Sequence, residues 1–236
     1  MPEIGPILDM PRLDTSTSFR KEAYAALKRA ITAMDIYDNA QEIRLDERRL
    51  SEGLGVSRTP VREAMTLLEQ EGFVRTRPRG IFVVRKTKRE IVEMITVMAA
   101  LEGMAARLGA ERAADAEIAD LRRLMAEFRT GNDGERLAEY SDANIAFHQA
   151  IIKMSGCALL AEMTENLFIH MRAIRKITIH QENRAARSIT DHFRIIDALE
   201  RRDPELAERL AREHTLGLAA HVEQHGDFLD ARRDDV

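Results

Sequence analysis

The sequence predicts a mainly α-helical protein in two parts: an N-terminal winged helix-turn-helix with a small β-hairpin wing, followed by an all-α antiparallel helical bundle. Three observations carry that expectation. Two short amphipathic helical stretches lie on either side of Gly55. Phe73 to Val84 alternates apolar and basic residues around Pro78 and Gly80, the pattern of strand, tight turn, strand. From about residue 90 to residue 226 strand signals disappear, and helical periodicity runs between short polar breaks.

The elements follow in order. Residues 1–17 hold three prolines and no apolar period, and read as an arm. Phe19, Tyr24, Leu27, Ile31 and Met34 form the stripe of a first helix, broken by Asp35 to Asn39. Asp46 can cap a short helix ending at Leu54, and Gly55 supplies a left-handed turn. Ser57 can cap the next helix, Pro60 sits in its first turn, and Val61, Ala64, Met65 and Leu68 form its buried face. Gly72 ends it. In the bundle, breaks fall near Ala114, at Gly131 to Gly134, at Ser155-Gly156, around His180 to Asn183 and at Asp203-Pro204, with Asp115, Asp133 and Asp203 as caps. The expected division is an arm (1–17), a winged helix-turn-helix domain (18–86), a linker (87–90) and a helical domain for effector binding and dimerisation (91–230).

Composition narrows the function classes. Hydrophobic residues at 44% and charged residues at 32% describe a folded chain rather than a disordered one. Cys157 is the only cysteine, which excludes an intrachain disulfide and fits a reducing compartment. The first residues, MPEIGPILDMPRLD, lack the basic region and apolar core of a signal peptide, and no run reaches the length of a membrane span. The expected location is the cytoplasm, with no membrane partner. Charge is uneven: residues 1–89 hold 17 basic against 13 acidic residues, and residues 90–236 hold 19 against 27. A basic head on an acidic remainder suits a protein in which only the head meets phosphates.

In a winged helix-turn-helix the second helix lies in the major groove, with its N-terminal side chains near base edges. With Val61 at the centre of the buried face, Arg58, Thr59, Arg62 and Thr66 fall on one exposed flank. Arginine suits bidentate contacts to guanine, and threonine suits phosphates or thymine methyls. The hairpin tip Arg77-Pro78-Arg79-Gly80 can reach a phosphate or the minor groove.

The stretch LSEGLGVSRTPVREAMTLLEQEGFV and the glycine-tipped hairpin after it resemble the GntR family of bacterial regulators. The helical remainder resembles the FadR-type subgroup, with its FCD-like effector domain. The resemblance covers the chain from about residue 18 onward. It implies DNA contacts at Arg48, Arg58, Thr59 and Arg62, and at Arg79 and Gly80 in the wing. It also implies a homodimer reading a near-palindromic operator in double-stranded DNA, and a repressor released by a small organic acid or related metabolite. Lys86 to Glu90, between wing and bundle, is the expected route from ligand to DNA.

His148, His192 and His214 stand on apolar stripes of three different helices, with Asn144 one turn before His148. Three inward imidazoles can converge on one divalent ion. Spacing alone favours three separate core histidines, each bonded to a neighbour. The resemblance implies a metal site, since FadR-type domains often bind a metal through a D-x-x-F-H motif and two later histidines. Here the motif stands as NIAFH, so the implied ligands are Asn144, His148, His192 and His214, for one zinc, nickel or iron per chain. Asn144 brings no negative charge, which weakens the expected affinity. The family often has a carboxylate-holding arginine where Met98 stands, just before the pair matched by Leu101-Glu102. Met98 cannot hold a carboxylate. Arg172 or Arg175 can substitute, although both read as surface or interface residues. The candidate effector contacts are therefore Met98, Arg172 and His221, the last two turns beyond His214.

Two other classes compete. A metal-dependent hydrolase could use the three-His cavity, but it needs a general base near the metal. Asp191 and Glu213 adjoin the histidines yet point roughly 100° away along their helices. An enzyme also gives no account of the Arg58–Arg62 face or the wing, and a protein-interaction module built on the winged helix predicts no steep salt dependence and no footprint on DNA.

Overall fold

A computed structural model describes residues 16–37, 42–128, 136–181 and 183–230. In chain order the elements are α1 (Ser16–Ala33), β1 (Arg44–Leu45), α2 (Glu47–Leu54), α3 (Arg58–Gln70), β2 (Val74–Arg77), β3 (Gly80–Val83), α4 (Lys88–Arg112), α5 (Asp115–Ala126), α6 (Leu137–Met154), α7 (Ala158–Thr178), α8 (Arg184–Glu200), α9 (Pro204–His225) and a closing 3-10 turn, Gly226–Leu229. Two compact units emerge. The first comprises residues 1–33 and 42–84, the second 34–41 and 85–236. The expected arm and the Asp133 cap lie largely or wholly outside the described residues.

The first unit is the expected helix-turn-helix. Asp46 accepts from the Arg49 backbone N–H at 2.9 Å, capping α2. Gly55 takes φ +67° and turns the chain toward α3. Ser57 occupies the cap position of α3 without a side-chain bond to the helix. Val61, Ala64, Met65 and Leu68 are buried, as their spacing predicts. The stripe of α1 begins at Ala23, with Leu27 and Ile31. Phe19 is 55% exposed and takes no part in it. Lys28 and the Tyr24 hydroxyl both hold Glu71, at 3.0 and 2.5 Å, which fastens α1 to the end of α3.

The wing is more than a hairpin. Its three antiparallel strands run in the order β1-β3-β2, with Arg44 opposite Phe82 and Arg77 opposite Gly80. A two-residue strand carries no readable alternation, which is why β1 is silent in the sequence. Glu69 of α3 accepts from both the backbone N–H and the hydroxyl of Thr76 in β2, at 2.5 and 2.8 Å. That clasp ties the second helix to the wing.

In the second unit α4 is the central helix, packed against α9, α6, α7 and α8. Small residues on α4 allow the close approach of α9. A Cβ added at Gly103 would meet the Glu208 carbonyl and the Arg212 Cβ at 3.3 Å. Residues 87–90, expected as a linker, are the cap and first turn of α4. The Thr87 hydroxyl takes the Glu90 N–H at 3.2 Å, and the Glu90 carboxylate takes the Thr87 N–H at 2.8 Å. Asp115 sits inside the first turn of α5 and Ala114 holds the cap position, while Asp203 caps α9 as expected.

The segment after α1 also belongs to this second unit. Ile36 and Tyr37 are buried in it. The Tyr37 hydroxyl accepts from the Lys86 backbone N–H at 3.1 Å and bonds to His170 Nδ1 of α7 at 2.8 Å. Burial, with the nearby Lys86 charge, pushes His170 down to about 4, so its ring is neutral and can accept the Tyr37 proton. Asp35 pairs with Lys176 of α7 at 2.6 Å. Polarity hid this strap: Asp35 to Asn39 reads as a helix break, and only burial reveals that two of its members are core residues.

Candidate functional site

The first candidate site is the cleft between α3, α2 and the wing, about 540 Å³ in volume. Its walls carry Arg44, Arg48, Arg58, Arg62 and Arg77, with Thr66 and Gly80. Arg58 stands in the first turn of α3, and Arg62 and Thr66 follow at one-turn intervals, so all three share a face. The acids in the cleft are already engaged. Asp46 caps α2, Glu69 holds Thr76, and Glu47 pairs with Arg62 at 3.2 Å. The Arg62–Glu47 pair is open to solvent and of little worth to stability, so Arg62 can exchange it for a base or a phosphate.

Of the residues singled out from the sequence, Arg48, Arg58, Arg62 and Gly80 line this cleft. Thr59 and Arg79 are exposed and do not. Sequence reasoning missed Arg44, because it lies on the silent strand. Gly80 has φ +137°, and a Cβ there would stand 2.7 Å from the Arg44 Nε. Glycine at the wing tip thus lets the Arg44 guanidinium lie against the wing backbone.

The second candidate site lies inside the helical unit. His148 of α6, His192 of α8 and His214 of α9 bring one ring nitrogen each within 4.8 Å of one another, and all three are buried. The Nε2 atoms of His192 and His214 face each other at 3.2 Å. Each Nδ1 has a partner of its own: Glu102 for His148 at 3.1 Å, Asp191 for His214 at 3.2 Å, and the Tyr140 hydroxyl for His192 at 3.3 Å. Partners on Nδ1 fix the rings so that Nε2 points inward. Asp191 therefore faces His214 on a different helix, a contact that its sequence position beside His192 did not suggest.

Burial, with Arg175 adding to it, pushes His148 down to about 3 against the opposing pull of Glu102. Burial and the neighbouring rings lower His192, and burial lowers His214. Neutral imidazole is the form that ligates. His148 Nε2 and Asn144 Oδ1 are both buried with no hydrogen-bond partner among the described residues. A buried polar atom left unmade costs about 1–3 kcal/mol. Two orphan acceptors beside two facing ring nitrogens make a donor set of three nitrogens and one oxygen that fits a divalent ion of the zinc, nickel or iron type.

The expected effector residues are placed differently. Met98 is fully buried in α4, and neither it, Arg172 nor His221 lines the cavity at His148. His221 bonds instead to Gln181 at 2.8 Å. Arg175, expected at a surface or interface, is buried, and its Nη2 donates to both Glu102 carboxylate oxygens at 2.8 and 2.9 Å. Thr215 of α9 donates to the same carboxylate at 2.5 Å. Burial pushes the Glu102 carboxyl up, but the Arg175 charge, His148 and the Thr215 hydrogen bond together outweigh it and hold the group below the usual carboxylate range. Glu102 is thus the hub joining α4, α6, α7 and α9. Sequence reading met it only as half of a Leu-Glu pair, since a lone glutamate in a helix looks like surface.

Comparison with known proteins covers both units. The profile of the bacterial regulatory proteins of the gntR family matches residues 19–84, and that of the FCD domain matches residues 93–217. A probable D-xylose utilization operon transcriptional repressor of Paenarthrobacter nicotinovorans is 32% identical over 191 residues, covering 78% of this chain and 81% of that protein. The HTH-type transcriptional repressor RspR of Escherichia coli is 25% identical over 214 residues, covering 90% and 92%. Among solved structures, E. coli McbR/YncC superposes with a TM-score of 0.67 at 24% identity, covering 91% of this chain and all of that one. No helix among the described residues is long and apolar enough to cross a membrane.

Proposed function

The chain belongs to the gntR family of bacterial regulatory proteins, with an FCD domain as its second part, and from that premise we propose a cytoplasmic repressor that a small carboxylate effector releases from DNA. As a member of that family it is a DNA-binding transcriptional regulator. The observation that carries the DNA reading is the cleft in which Arg58 and Arg62 of α3 stand beside the wing. Both similar proteins named above are described as repressors, which supports that sign of regulation.

The contact set is Arg48, Arg58, Thr59, Arg62, Arg79 and Gly80, with Arg44 and Arg77 added from the cleft. Arg58 and Arg62 take base edges, and the remaining arginines take phosphates. The protein works as a homodimer. Val97 and Met104 of α4 and Leu216 of α9 are large apolar residues left 39–51% exposed on two helices that pack together, and a second copy would cover them.

Asn144, His148, His192 and His214 hold one divalent ion, which when bound supplies a coordination position for a carboxylate oxygen. Glu102, Asp191 and Tyr140 orient the rings. A hydrolase reading finds no support: the carboxylates nearest the histidines are occupied as ring partners, and the family is one of regulators.

Ligand state reaches the head through α7. One part of that helix lines the cavity with Arg175, Thr178 and Ile179, while its His170 holds Tyr37. Tyr37 also takes the Lys86 N–H, so a single hydroxyl secures both chain segments that lead to the DNA-binding unit. Tyr37→Phe removes two hydrogen bonds of about 1 kcal/mol each, comparable with the ~1.4 kcal/mol that changes DNA occupancy tenfold. The expected result is a variant that binds its operator but responds weakly to effector, read as operator affinity with and without ligand. A variant with the full response would rule out this route.

Selection of random duplexes by the purified protein tests the function itself. A near-palindrome is expected, bound with an affinity that falls steeply with salt. Failure to enrich any sequence would overturn the proposal.

A further inference from the structure

The cavity beside the three histidines is lined by polar atoms of two kinds. Asn144 Oδ1 and His148 Nε2 are orphan acceptors, which suit a cation. Arg175 Nη1 and Arg184 Nε are orphan donors, buried with no partner among the described residues. Acceptors and donors left unmatched in one cavity do not satisfy one another here, because none of the four is within bonding reach of another. The donors call for something the chain does not supply.

Arg184 is the more telling of the two. It stands in the first turn of α8 and is 9% exposed, while Arg175 is 4% exposed. Arg175 spends Nη2 on Glu102, so its charge is matched. Among the described residues Arg184 makes no ion pair with a carboxylate: Asp191, the acid that acts on it, is taken by His214. Burial lowers the Arg184 guanidinium from its usual range, and the positive Arg187 and Arg175 add to that, with Asp191 opposing. A guanidinium is not deprotonated in practice, so the cost of its desolvation is offset only by an anion.

We infer that Arg184 and the free Nη1 of Arg175 form an anion subsite for the carboxylate group of the effector, built separately from the histidine cluster and able to bind without a metal. The inference rests on the reading of this cavity as the effector site. Its internal space is about 10 Å³, the room of a single water, so the guest enters head first. A planar carboxylate matches the fork of a guanidinium and is smaller than a tetrahedral phosphate. Arg175 on α7 and Arg184 on α8 would then be bridged by one anion, which places the effector's charge on the helix that holds Tyr37.

The test uses the full chain and three probes: acetate, its neutral counterpart acetamide, and inorganic phosphate. Binding is read by isothermal titration and by thermal shift. Acetate is expected to bind wild type and also His192→Ala stripped with chelator, while acetamide binds neither. Arg184→Gln is expected to weaken acetate at least tenfold in both backgrounds. Arg184→Lys, which keeps the charge but loses the fork, serves if the glutamine variant melts early, and is expected to weaken acetate as well. Equal acetate binding by Arg184→Gln and wild type would overturn the subsite, as would equal binding of acetamide. Phosphate binding tighter than acetate would overturn the carboxylate assignment. Acetate binding that needs the metal would overturn the separate subsite. If acetate binds through Arg184 but never alters operator affinity, the repressor reading fails while the subsite stands.

Discussion

Replacing Arg58 or Arg62 by alanine is expected to abolish sequence-specific operator binding while leaving the fold intact. Both side chains lie in the cleft beside the wing, and neither holds the core: among the described residues the Arg62 side chain makes only its pair with Glu47. Each bidentate arginine–guanine contact is worth about 1–3 kcal/mol. A dimer loses it in both half-sites, so the expected loss is roughly 10²–10⁴-fold. The change in thermal stability should stay within about 0.5 kcal/mol, because the positions are on the surface. Fluorescence anisotropy with the selected operator, at one fixed salt concentration, measures it. Arg58→Lys separates the two roles of the residue: it keeps the charge for phosphates and loses the fork for guanine. A variant Arg58→Ala that bound the operator with wild-type affinity would sink the placement of α3 in the major groove.

Metal content is expected to fall from about one ion per chain to none in His192→Ala. His192 is fully buried, stacks on Phe147 with ring centroids 3.9 Å apart, and puts Nε2 3.2 Å from that of His214. With Asp191 on its Nδ1, His214 turns an Nε2 lone pair toward the Nε2 of His192, and a shared cation can take the place of the hydrogen bond between the two rings. Elemental mass spectrometry of untagged protein, with His192→Ala beside it, gives the answer. The alanine also leaves a void in the core, so a gain-of-function variant is the cleaner companion. Asn144→Asp restores a negative charge at the buried oxygen and is expected to tighten binding of the same ion. Protein that stayed metal-free after incubation with zinc, nickel and iron would reduce the three histidines to core residues bonded to Glu102, Tyr140 and Asp191.

Much of the molecule was legible before any coordinates. Asp46, Gly55 and the stripe Val61, Ala64, Met65 and Leu68 announce their helices because capping, left-handed turns and amphipathic faces are local properties, decided within a few residues. Arg58 and Arg62 followed from the helical face once those helices were set, and Arg48 from the family resemblance. His148, His192 and His214 were visible as histidines in apolar stripes, but spacing could not say whether they met. The strand β1 was not legible, being two residues long and formed only by pairing with β3. Residues 87–90 looked like a linker because charged residues crowd them, whereas the Thr87–Glu90 capping box makes them the start of α4.

The sequence by itself determined the helix-turn-helix, the wing tip, the arginine face and the helical nature of the remainder, since each depends on neighbours within one or two turns. Only the tertiary structure decided what meets across the chain. It brought Glu102, Arg175 and Thr215 together over separations of 73 and 113 residues, and Tyr37 to His170 over 133. A buried charge is written in the sequence with the same letter as a solvated one. Its partner, and hence its meaning, exists only after the helices pack.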